Sequence, residues 1–398
     1  MIRLHSLMVV LGSALMLACS CVFASEDKPP AGMQTVQVTI THAPPAQTVL
    51  TCSRTGTPKN VILLVGDGMG LNDLSAAKAA LGPAARTHTE RSSSVALCST
   101  NSANGPTTDS AAAATALLCG EKANRGSIGQ APDGRPLTSL FVKAKQAGKR
   151  TAILTSDEVT EATPAAAYAH VAKRGNDATI ARQLLDSDID LVIGGGRSVF
   201  RKLGPSGGAE TTGAFLDGIP SNGFRPVQDL DSLRKVDLAE GKVMALLAED
   251  SFDQTSPTNR LDLPAFTRMA IEKLNKSAPN GFLLLVEGTE MDDAAHDGNA
   301  ALLLNEMVDF DQAVGQALEF AELDKETLVI VTGDHETGGV GLGAKVEQDK
   351  AQIAFACDGH TPALVPLMAT GVGAPSFHGF IDNTDVAKII SSLMKQRR

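Results

Sequence analysis

The sequence predicts an α/β fold, with a mostly parallel central sheet carrying helices on both faces. Three observations point there. Short runs that are apolar throughout recur along the chain, and longer helical patterns alternate with them. Aromatic residues are scarce, with no Trp and a single Tyr, Tyr168, in 398 residues. Strands without polar alternation are buried on both faces, which a sheet with one wet face does not require. A core poor in rings must be filled by Ala, Leu, Val and Ile, which suits close packing of helices on a sheet. With 43% hydrophobic and 20% charged residues, the chain is long enough to bury a large core.

Residues 1–24 read as an export signal: Arg3 supplies the positive start, 7–17 the apolar stretch, and Val22-Phe23-Ala24 the small-residue cleavage site. A competing reading is a lipoprotein site at Met16-Leu17-Ala18-Cys19, with Cys19 acylated and the protein anchored to a membrane; Leu17 fits that site poorly. The expected location is periplasmic or secreted. Residues 25–57, rich in Pro and Thr, form an extended lead-in, and 58–398 form a single catalytic-sized domain. Its strands are expected at 60–65, 151–154, 190–193, 281–286 and 327–332. Helical patterns fall at 137–147, 178–185, 263–274 and 302–323. The stretch 204–260, richer in Gly, Pro, Ser and Asp, reads as a loop-rich insertion with one strand near 243–247.

Export places the cysteines in an oxidising compartment. Beyond the leader these are Cys52, Cys98, Cys119 and Cys357, an even number for which two disulfides are expected in one of three pairings; four buried thiols are the alternative. The net charge of −10 makes the chain a poor binder of nucleic acid. An anionic small ligand would need local cations, which bound metals can supply.

In open α/β sheets ligands bind beyond the carboxyl ends of the strands. Three apolar runs end in acids: Asp67, Glu287, and Asp334 followed by His335. One such Asp is usually a turn or cap residue; three, two of them near a His, exceed what capping explains. Asp292 and His296 stand four apart, the spacing by which a helix offers two ligands to one metal, and also that of a simple helix-stabilising pair. His360 follows a short apolar run. Mixed Asp and His sets suit zinc, whereas Asp, Glu and hydroxyl oxygens suit magnesium. Thr107-Thr108-Asp109-Ser110 leads into an alanine run, so a helix should start at Ser110. There Ser110 or Asp109 could be a plain N-cap, or Ser110 a nucleophile set where the helix dipole welcomes an anion.

Seven motifs carry a specific resemblance: Gly66-Asp67-Gly68-Met69-Gly70, Thr108-Asp109-Ser110-Ala111, Ala162-Thr163-Pro164-Ala165-Ala166, Val286-Glu287-Gly288, Asp292 with His296, Gly333-Asp334-His335 and Gly359-His360-Thr361. In this order they resemble the bacterial, secreted alkaline phosphatases, from about residue 60 to the C-terminal helix. The resemblance implies a sandwich of that family's kind, with two Zn2+ ions and one Mg2+ ion. By it Asp292, His296 and His360 would hold the first zinc. Asp67, Asp334 and His335 would hold the second, which activates Ser110. Asp67, Thr163 and Glu287 would hold magnesium. Arg174 would clamp two phosphate oxygens, and Asp109 would orient that arginine. The implied substrates are small phosphate monoesters, hydrolysed through a phosphoserine with inorganic phosphate as product; a homodimer is the usual assembly.

Three positions depart from that family's pattern: Glu161 where a shorter Asp is known, Asp293 where Lys or His is usual, and Thr337 where His is usual. They sit around the metals, where affinity is tuned. Cobalt in place of zinc, or a third ion other than magnesium, is consistent with these changes. A diesterase or sulfatase on the same scaffold is the rival within enzymes, and Ser110 with Arg174 argues for the monoester. An exported metal- or phosphate-binding protein without turnover is the rival outside them; it would lack a nucleophile or ligand, and none is missing.

Overall fold

A computed structural model describes residues 32–37, 54–82, 85–204, 216–217, 222–256, 258–343 and 350–395. All belong to one compact unit, Gly32–Arg398. The leader 1–24, Cys19 and Cys52 lie outside the described residues.

Among the described residues ten strands form the central sheet, in the order Gly379–Asp382, Ser94–Ser99, Val365–Gly371, Thr327–Gly333, Asn60–Gly66, Phe282–Gly288, Arg150–Glu158, Leu191–Gly195, Lys242–Leu246 and Phe224–Val227. Only Val365–Gly371 runs against the others. The α/β sandwich is therefore as the apolar runs predicted. Along Asn60–Gly66, Ile62 and Leu64 enter one layer of core while Val61, Leu63 and Val65 enter the other. The first layer is closed by helices Leu71–Leu81, Leu263–Ser277 and Ala300–Asp324. The second is closed by Ser110–Cys119, Leu140–Gln146, Asp177–Leu185 and Asn383–Lys395. Both faces being buried is the reason these strands lack polar alternation.

The five expected runs are the middle of the sheet, and the four helical patterns match helices with ends shifted by a few residues. The region 204–260 is more than loops. It carries helix Leu230–Lys235 and two sheet strands, of which Phe224–Val227 was not foreseen because Arg225 and Pro226 interrupt its apolar signal. Such a pattern belongs at a sheet edge, where this strand lies. In the lead-in, Gln34–Gln37 is extended as expected and pairs with Lys350–Ala354.

The expected disulfides are not found among the described residues. Cys98, Cys119 and Cys357 are free thiols. They occupy three separate elements: strand Ser94–Ser99, the end of helix Ser110–Cys119, and an exposed loop. Burial pushes the thiols of Cys98 and Cys119 up to about 12, so both are inert. Among the described residues no helix is long and apolar enough to cross a membrane.

Candidate active site

Register brings the acids together. Val65 pairs with Glu287 and Thr332, and Gly66 with Gly288 and Gly333, so three neighbouring parallel strands end at one level, with Thr155 of a fourth beside Glu287. Asp67 and Asp334 follow two of these ends directly, and Glu287 stands at a third. Helix Glu290–His296 rises from the same edge and presents Asp292 and His296 one turn apart. It crosses close to Gly68, whose φ is +70°; a Cβ there would stand 2.9 Å from the Asp292 Cα. Only glycine admits both that backbone and that approach.

Among the described residues, two groups have geometry that could hold a metal: Asp292 with His296 and His360, and Asp67 with Asp292 and His335. Asp292 therefore stands between the two. Asp334 joins the second group, its Oδ2 lying 3.4 Å from His335 Nε2, while Asp67 Oδ1 lies 3.3 Å from the same nitrogen. The histidine rings are aimed by their far nitrogens. His296 Nδ1 lies 2.6 Å from the Asp358 carbonyl oxygen and His360 Nδ1 2.8 Å from that of Thr108. Carbonyls only accept, so each neutral ring carries its proton on Nδ1 and leaves Nε2 bare. The two Nε2 atoms are 3.2 Å apart, with Asp292 Oδ2 3.3 Å from His296 Nε2. Converging lone pairs repel unless a cation lies among them.

Burial makes the same case. Asp67 Oδ1, Asp334 Oδ2 and Thr163 Oγ1 are buried without a hydrogen-bond partner. Thr163 faces the Glu287 carboxylate from the short helix Ala162–Ala165, close enough to lower its pKa but without hydrogen-bond alignment. Glu287 Oε2 accepts from Thr155 Oγ1 at 2.6 Å. Burial pushes Glu287 up to about 8, and burial followed by the charge of Asp292 pushes Asp334 up to about 7. Asp67 is raised well above the usual range by burial and by the charges of Asp334, Asp292 and Glu287. His335 is driven the other way by burial and the neighbouring His360 and His296. Three buried carboxylates, a hydroxyl and imidazole nitrogens are donors suited to divalent cations, so zinc and magnesium fit these residues.

Ser110 opens helix Ser110–Cys119 and is 3% exposed, with Oγ 3.3 Å from His335 Nε2. Arg174 Nη1 lies 3.5 Å from that Oγ. Asp109 is the N-cap: one carboxylate oxygen accepts from Ala112 N at 3.1 Å and the other from Gly126 N at 2.8 Å. It acts on Arg174 through charge alone, and the group bonded to the guanidinium is Glu161, at 2.9 Å from Nη2. The guanidinium is thus paired with Glu161, one of the three residues that depart from the family's pattern, and not with Asp109. Asp293 sits at the exposed rim, raised by partial burial and by Asp292. The carbonyls that aim His296 and His360 had no signal in the sequence, because backbone acceptors carry none.

Comparison with known proteins identifies the family. The family model described as alkaline phosphatase matches residues 58–347. Alkaline phosphatase 4 of Bacillus subtilis is 34% identical over 308 residues, covering 73% of this chain and 64% of its own length, so the match leaves about a third of that relative unspanned. Alkaline phosphatase H of Pseudomonas aeruginosa is 32% identical over 82% of this chain and 83% of its own. The solved alkaline phosphatase from the Antarctic bacterium TAB5 superposes with a TM-score of 0.76 at 33% identity, covering 86% of this chain and 99% of that one. The family match over residues 58–347 and relatives at 32–34% identity make the chain a member of the alkaline phosphatase family.

Proposed function

We propose that this chain is an exported, metal-dependent phosphomonoesterase that passes the phosphoryl group through Ser110. The observation that carries this reading is the position of Ser110: at a helix N-terminus, buried, beside His335 and within reach of Arg174. On this reading Asp292, His296 and His360 would hold one zinc, Asp67, Asp334 and His335 a second, and Asp67, Thr163 and Glu287 a magnesium. When bound, these ions lower the pKa of hydroxyl groups and neutralise charge on the transferring group.

The chain's own residues do the rest. Ser110 Oγ forms the bond to phosphorus as the ester P–O bond breaks and the alcohol leaves. Arg174 presents its planar fork to two non-bridging oxygens, a contact suited to the dianionic group of a monoester. The positive end of helix Ser110–Cys119 favours the same negative charge. Water then displaces the serine from phosphorus along the same line, releasing inorganic phosphate. Asp109 holds the helix start and the loop at Gly126, which fixes where Ser110 points.

Purified protein should hydrolyse p-nitrophenyl phosphate, lose this with a chelator, and regain it with zinc and magnesium. Metal content and bis-p-nitrophenyl phosphate hydrolysis measured on the same sample identify the ions and the ester class. A faster rate on the diester, or turnover unaffected by chelation, overturns the reading.

A further inference from the structure

We propose that Thr337 fixes His335 as the Nδ1–H tautomer and thereby couples the two candidate metal positions. Thr337 is fully buried on the two-residue strand Glu336–Thr337, whose backbone pairs with His360–Thr361. Its hydroxyl touches two groups: Asp292 Oδ1, to which it donates, and His335 Nδ1, 3.1 Å away. A hydroxyl has one proton. Asp292 as a carboxylate can only accept, so that proton goes to Asp292, and only a lone pair remains for His335. The His335 Nδ1 must therefore carry the ring's proton, leaving Nε2 bare toward Ser110, Asp67 and Asp334.

Without that hydroxyl the other tautomer has the better partners. An Nε2–H would point at Asp67 Oδ1 and Asp334 Oδ2, two buried oxygens that otherwise lack hydrogen bonds. The proton would then occupy the place of the cation. Thr337 opposes this, and by holding Asp292 with the same hydroxyl it ties a residue shared by both groups to the ring that serves only one. His296 and His360 have their Nδ1 atoms held by backbone carbonyls, which no substitution removes. His335 alone depends on a side chain.

This inference rests on the metal reading above, not on the identity of the substrate. In metal-free protein labelled with 15N-histidine, nitrogen shifts and two-bond couplings should show His335 protonated at Nδ1. Thr337→Val keeps the shape and removes the hydroxyl. It should move His335 toward the Nε2–H form and weaken zinc binding about 10–100-fold in chelator competition, while Thr337→Ser restores both. Should Thr337→Val fail to give a cooperative thermal transition, Thr337→Ala is read the same way. Unchanged nitrogen shifts with zinc affinity within about threefold of wild type overturn the proposal. Wild-type protein that shows the tautomer and binds zinc but turns over no monoester sinks the proposed function and leaves this assignment standing.

Discussion

Arg174 Nη2 donates to Glu161 Oε2 at 2.9 Å, so the guanidinium that faces Ser110 is already paired with an anion. Both side chains are about two-fifths exposed, which makes the pair weak, within about 1 kcal/mol. A phosphate group must compete with Glu161 for the same donors.

Glu161→Gln should therefore tighten inhibition by inorganic phosphate severalfold and lower KM for p-nitrophenyl phosphate, with a lower kcat if product release limits turnover. Weaker phosphate binding in this variant would instead show that Glu161 serves chiefly to position the arginine.

Chelation should destabilise the protein, and more so at high pH. Glu287 at about 8 and Asp334 at about 7 are raised in the metal-free fold. A raised carboxyl pKa contributes stability below its unfolded value, near 4, and loses it as pH rises through the folded value. Metal-free protein should thus lose stability steadily from pH 5 to about 8, whereas metal-loaded protein, whose carboxylates are compensated, should not. Thermal melts with and without chelator at several pH values measure the gap, and a gap that narrows as pH rises contradicts the expectation.

Asp73 repeats this logic outside the candidate metal groups. Its Oδ2 caps Gly70 N at 2.6 Å, its Oδ1 is buried and unpartnered, and burial pushes it up to about 8. Asp73→Asn keeps an acceptor for the cap and removes the ionisation. The variant should lose less stability than wild type as pH rises from 6 to about 8, measured on metal-loaded protein by urea unfolding.

Gly68→Ala forces a side chain into φ +70° and against the Asp292 backbone. It should cost on the order of 1–3 kcal/mol and displace helix Glu290–His296, lowering zinc affinity. Unfolding and metal titration of the one variant test both effects.

How far the sequence could reveal this site follows from where each signal lives. Asp67, Glu287 and Asp334 were legible because apolar runs announce buried strands and acids at their ends are costly without a purpose. Asp292 and His296 were legible through helix spacing. Strands Ser94–Ser99 and Val365–Gly371 escaped notice: the first starts and ends in Ser, and the second holds Pro366 and runs against the sheet. The exchange of Asp109 for Glu161 as partner of Arg174 is a tertiary fact, since 13 residues separate Arg174 from Glu161 and nothing local links them. The free thiols follow the same rule, because an even cysteine count does not bring separate elements within bonding distance.

The most direct measurement is to quench turnover in acid and map the phosphoryl group by peptide mass spectrometry. One phosphoryl group on the peptide containing Ser110 is expected, absent in Ser110→Ala, whose kcat should fall by at least about a thousandfold. A label on another residue, or full turnover in Ser110→Ala, would contradict the assignment of Ser110 as nucleophile.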